Sequence, residues 1–308
     1  MKFLRGIDMK TKLMFLFFFI ALVICAQDST STDGESRKNH KWNWKFDWDF
    51  DSYENTDRRP MIEINYGVGF PKHEKMVHSL SKIGNAEIKI GFSRISNYDE
   101  DSDQSIINEL NDNYFFASKL SSTLLTQKVK DSDFASDLIR FGFGRRTGYG
   151  YSAGSVYIIP YHTDAFLWSK LNSIDKSILT SPADFIVARR YLNNYRFSSL
   201  AEAGIKFEIA QTISFDASHE TAVVFPRYQI WKHLGSVAIE MAGYGMIDNF
   251  VDKIFDRSPA AVPVVDFLLK NGLAYSLYLL KKENMNWPFN TETPLTYETF
   301  KLGVTFLF

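Results

Sequence analysis

The chain has 308 residues, with 35 lysines and arginines against 36 acids, so its formal net charge is −1 and no basic run marks it as a nucleic-acid binder. Its one cysteine, Cys25, cannot form a disulfide framework. Phenylalanine is the unusual count, 27 beside 15 tyrosines and 6 tryptophans, an excess that suits strands and membrane interfaces.

Lys2, Arg5, Lys10 and Lys12 lead into an unbroken apolar run, Leu13 to Ala26, after which the chain turns polar. A basic region, a short apolar stretch and a small residue predict a secretory signal peptide over residues 1–26, cleaved after Ala26. The run is shorter than the roughly 20 residues of a spanning helix. Leu22-Val23-Ile24-Cys25 offers the alternative of lipidation at Cys25, although the bulky Ile24 departs from such a box. Residues 27–60 read as a polar linker holding one aromatic strand, with Trp42, Trp44, Phe46, Trp48 and Phe50 on one face.

From Met61 onward a period of two recurs. Ile62, Ile64, Tyr66, Val68 and Phe70 oppose Glu63, Asn65, Gly67 and Gly69; Ala86, Ile88, Ile90 and Phe92 oppose Glu87, Lys89, Gly91 and Ser93. Ile139, Phe141 and Phe143 oppose Arg140, Gly142 and Gly144, and Ala203, Ile205, Phe207 and Ile209 oppose Glu202, Gly204, Lys206 and Glu208. Large apolar residues on one face and charge or glycine on the other are the lipid-out, lumen-in alternation of a membrane-spanning barrel. On this reading Phe207→Arg is severe, whereas Lys206→Ala is mild. Gly142, Gly144 and Gly148 lack dinucleotide-loop spacing, so no cofactor is expected and lumen-facing glycine is the better account.

Helical signals interrupt the strands. Ser181, Pro182 and Asp184 open one helix; Met246, Ile247, Phe250, Val251, Ile254 and Phe255 define an amphipathic second; Ser258-Pro259 and Asn271-Gly272 bracket a third, whose start Pro263 blurs. Asp164 to Ile174 is a weaker fourth candidate. The helical insertion around residues 246–270 needs a partner, and Val156 to His162, apolar on both faces, suggests that it plugs or caps the barrel.

Candidates for chemistry are few. In Ser218-His219-Glu220 adjacent residues face opposite ways on a strand and cannot converge as a triad. His162 with Asp164, and His233 beside Lys232, remain as polar pairs. No HxH or HExxH spacing occurs, so no metal is expected, and His73 and His78 fall in a loop. Arg145-Arg146 and Arg189-Arg190 read as solvated, luminal or headgroup contacts.

The last strand carries Phe300, Leu302, Val304, Phe306 and Phe308 on one face, against Thr299, Lys301, Gly303 and Thr305. With the leader and the alternating strands, this resembles the outer-membrane β-barrel proteins of diderm bacteria. The resemblance implies that those five residues form a C-terminal assembly signal read by the barrel-assembly machinery, with outer-membrane lipid as the other partner. The expectation is a mainly β protein, an antiparallel transmembrane barrel of about 8–12 strands over residues 61–308 with short helical insertions. Its expected role is structural or small-solute passage, with substrate and ligand unidentified; the alternatives are a barrel-embedded lipid-modifying enzyme and a soluble periplasmic α+β binding protein.

Overall fold

The computed structural model describes residues 58–97, 107–125, 135–174 and 181–308. The expected signal peptide, Cys25 and the aromatic strand of the linker lie outside these residues. Eight strands alternate direction and close into one barrel: β1 (Arg59–Lys72), β2 (Ile83–Asn97), β3 (Ile107–Ser121), β4 (Ser136–Ala153), β5 (Val156–Ile174), β6 (Tyr195–Ile209), β7 (Ile213–Val224) and β8 (Leu295–Leu307). Strand β8 closes the ring on β1, with Met61 opposite Leu307 and Tyr66 opposite Leu302. Closure leaves no sheet edge, so every strand finds two hydrogen-bonding neighbours.

The alternation has the sense expected from the sequence. Ile64, Ile90, Phe207, Phe215, Phe300 and Leu302 are exposed on the outer wall, whereas Glu63, Lys89, Glu202, Lys206 and Lys301 are buried inside. The apolar faces do not meet one another, as a soluble α+β protein would require. Two adjacent residues show the contrast: Lys206 is 0% exposed and Phe207 42%.

Connections differ between the two ends. Where β1 begins and β8 finishes, β4 and β5 are joined by Gly154-Ser155, with Gly154 at φ +63, β6 and β7 by residues 210–212, and β2 and β3 by the longer stretch 98–106. The other end carries the long connections. One holds α1 (Pro182–Arg189), and another holds α2 (Ile230–Arg257), a short 3₁₀ turn at Pro259–Ala261 and α3 (Val262–Lys281).

Three helical expectations change. Asp164 to Ile174 is the second half of β5, because Ala165, Leu167 and Ser169 turn inward while Trp168 faces out. The helix expected from Met246 starts at Ile230; Gly235, Gly243 and Gly245 hide its first half, although Gly243 is a packing position whose Cβ would come 2.9 Å from Leu273 Cδ2. Asn271-Gly272 does not end α3, which runs on to Lys281 because Ala274, Leu277 and Tyr278 are buried.

Candidate functional site

The lumen is built from the inward side chains of all eight strands. Its middle is a continuous ladder of ion pairs. Arg140 donates to Glu87 (2.9 Å) and Glu220, with its guanidinium over the Tyr297 ring at 5.4 Å. Lys301 Nζ sits among three carboxylates, 2.9 Å from Glu87, 2.7 Å from Glu220 and in contact with Glu202. Lys89 links Glu202 (3.4 Å) to Glu63 (2.8 Å). Arg146 holds Glu63 with both terminal nitrogens, at 2.8 and 3.0 Å, and stacks on Tyr161 at 4.4 Å. Arg146 and Lys206 then share Asp112 at 3.2 and 3.3 Å, and Arg59 closes the ladder on Glu208 at 2.7 Å.

Glu63, Glu87, Asp112, Glu202, Glu208, Asp216 and Glu220 thus face Lys89, Arg140, Arg146, Lys206, Lys301 and Arg59, seven carboxylates to six cations among the described residues. The charges nearly cancel, which is what permits their burial. Glu87, Glu202 and Glu220 lie close enough to share a metal ion, but the Lys301 ammonium already stands among their oxygens. Glycine gives the network room: a Cβ on Gly303 would come 2.0 Å from Asn65 Oδ1 and 2.2 Å from Asp216 Oδ2.

Toward the end with the long connections the filling becomes apolar. Leu120, Leu138, Leu167, Leu171, Leu200, Val224 and Leu295 form a buried layer covered by Ala188 of α1, by Tyr191 and by Met76 and Leu80. The cavity beneath is about 10 Å³, room for one water at most. Helix α1 is fastened by Asp184, which accepts from the Val77 amide (2.8 Å), the His78 amide (3.3 Å) and the His78 ring (2.7 Å). Burial would raise the Asp184 carboxyl, but these donors hold it below the usual range. Nearby His73 is pushed down to about 4 by burial.

The expected plug is therefore in a different segment. Helices α2 and α3 form a hairpin on the outer wall over β4–β7. The Tyr151 hydroxyl bonds the Ala260 carbonyl, Asn271 reaches His162, Tyr275 lies by His219, and Tyr278 packs with Val223. All four barrel residues point outward, since their neighbours in the strands face the lumen. Where α3 crosses β6, the outward positions shrink to Ser199, Ala201 and Ala203, all half-buried. Lys270 pairs with Asp266 (2.9 Å) and Asp248 (3.0 Å), and Lys281 with Glu240, so two ion pairs tie α3 to α2.

The polar candidates scatter over this architecture. Ser218 and Glu220 face the lumen while His219 faces out, so they do not converge. His162 is 3% exposed beneath the hairpin, its Nδ1 2.8 Å from Asn271 Oδ1 and its Nε2 3.0 Å from Asp164 Oδ2. Both ring nitrogens are engaged, leaving neither to activate a nucleophile. His233 anchors the start of α2 among Phe197, Phe225 and Tyr228, with Asn286 at 3.3 Å. Arg146 is luminal, Arg145 faces outward and is exposed, and Arg190 pairs with Glu292 at 3.3 Å. Phe300, Leu302, Phe306 and Phe308 are exposed on the outer wall with Val304 half-buried between them, and the Phe308 amide donates to Pro60 O at 3.0 Å.

The fold is a closed eight-stranded antiparallel barrel with polarity reversed relative to a water-soluble protein. No family model matches the sequence, and no curated protein matches it. Among solved structures it is similar to Neisserial surface protein A, at 7% identity and a TM-score of 0.36, covering 81% of this chain and 97% of that one.

Proposed function

We propose that this protein is an outer-membrane β-barrel with a structural role and a non-conducting lumen. The observation that carries the reading is the reversal itself: a band of exposed Ile, Phe and Leu surrounds a core of ion pairs. In water that band would cost about 25 cal/mol per Å² of apolar surface, and lipid removes the cost. Two very short links among the three at the end where β1 begins, and the longest connections opposite, fit periplasmic turns and outward-facing loops. Solute passage would need an aqueous path, and the ladder together with the α1 cover fills it. The stripe from Phe300 to Phe308 then serves as an assembly signal as well as a lipid-facing strand.

The test combines extraction and conductance. The protein should leave membranes only with detergent and migrate on gels as a heat-modifiable species. In planar bilayers it should show no stable conductance step. Recovery in the buffer-soluble fraction would remove the membrane reading, and a large intrinsic conductance would remove the sealed lumen.

A further inference from the structure

Away from the hairpin, the outer wall over β1–β4 is lined mostly by large side chains, Ile62, Ile90, Phe92, Phe115 and Phe143 among them. Two neighbouring positions break the pattern. Ala86 on β2 stands beside Tyr66 and Lys119, and Ala117 on β3 stands beside Ile88 and Phe141. The alanines floor an open groove of about 470 Å³ between Ile64, Ile88 and Ile139. The groove is shallow and open to its surroundings, a trough and not an enclosed cavity.

Lys119 lines the same groove. Its side chain is 53% exposed and points outward beside Ala86, Ile88 and Ile139, two residues before β3 ends at Ser121. The nearest carboxylate, Asp137, is 3.8 Å away, a loose contact. A cation on a lipid-facing wall is costly unless its flexible stem carries the ammonium to the headgroup layer. Lys119 is placed to do this, with an apolar trough running from it.

We propose that the groove is a lipid site: one acyl chain lies over Ala86 and Ala117, and the phosphate of an anionic phospholipid is held by Lys119. The proposal rests on the membrane reading above. Free phosphate would use the cation alone, and a neutral lipid would use the trough alone.

The full chain would be placed in nanodiscs containing phosphatidylglycerol and phosphatidylcholine, then released for native mass spectrometry. The intact protein should retain phosphatidylglycerol several-fold over its share of the bilayer. Lys119→Gln should bring retention to parity, Asp137→Asn should raise the preference, and Ala117→Phe should lower retention of both lipids. Heat-modifiable migration of each variant reports that the barrel is folded. Parity in the intact protein, or an unchanged preference in Lys119→Gln, overturns the site while leaving the membrane reading intact. Failure of the intact chain to enter nanodiscs overturns the membrane reading itself.

Discussion

Lys206 and Phe207 are adjacent, and the structure makes both intolerant of change for opposite reasons. Phe207→Arg would put a charge on the outer wall, at a cost of roughly 2–4 kcal/mol in the membrane interior. The expectation that Lys206→Ala is mild fails. Its ammonium is buried against Asp112 (3.3 Å) and Glu208 (3.7 Å), and truncation leaves Asp112 to Arg146 and Glu208 to Arg59, with one cation fewer in a buried network already short of positive charge. Removing one member of a buried pair typically costs about 3–5 kcal/mol. Denaturant titration in micelles should therefore give losses of the same order at both sites; a negligible loss for Lys206→Ala would show that water enters the lumen. Period-two spacing revealed which face each residue occupies, because that depends on the backbone alone. It could not reveal that Lys206 and Asp112, far apart in sequence, share a bond, since this depends on ring closure and register.

At the scale of the element, α1 was legible from Ser181, Pro182 and Asp184, but the use of its acid was not. The Ser181 side chain makes no cap bond, and Asp184 fastens the helix to the loop after β1 instead. Acid should loosen this cover. The folded-state value of His73, about 4, lies below its ordinary 6.5, so the unfolded loop takes up a proton first as pH falls. Stability is then lost between about pH 6.5 and about 4, and protonation of the lowered Asp184 carboxyl removes more only below that window. Hydrogen exchange of residues 73–82 and 182–191 should accelerate over that window, and Asp184→Ala should show fast exchange already at neutral pH. Pattern reading saw the middle of the hairpin, residues 246–270, but placed it wrongly, because an amphipathic stripe says that a partner exists and not which one. The small outward residues Ser199, Ala201 and Ala203 were the available clue to a docking strip on the wall. Replacing residues 230–281 with a short Gly/Ser linker should leave bilayer conductance at its background level; a new conductance step would mean that the hairpin does reach the lumen.

For the whole molecule, the mainly β antiparallel barrel followed from alternation repeated over many segments. The count of eight settles at the lower bound of the expected range, since a long stretch between β7 and β8 went to helices. If the outward stripe ending at Phe308 is read during assembly, deleting Phe308 should reduce folded protein in the outer membrane far more than the lost contact, a few kcal/mol at most, would suggest. Comparing membrane yield with the refolding yield of purified protein separates the two effects. Equal reductions in both would assign Phe308 a packing role alone.

The position of Lys301 bears on how the ring comes to have its size. Glu87 belongs to β2, Glu202 to β6 and Glu220 to β7, and all three meet only around an ammonium delivered by β8. A chain that curled shut one strand early, joining β7 to β1, would keep Arg140 between Glu87 and Glu220 and Lys89 beside Glu202, but would lack the one ammonium that reaches all three. Such a ring would carry one more uncompensated negative charge in its lumen than the complete barrel does. The final strand thus brings the cation that draws β2, β6 and β7 to one point, so the complete count of strands is the closure at which the luminal charges come nearest to balance.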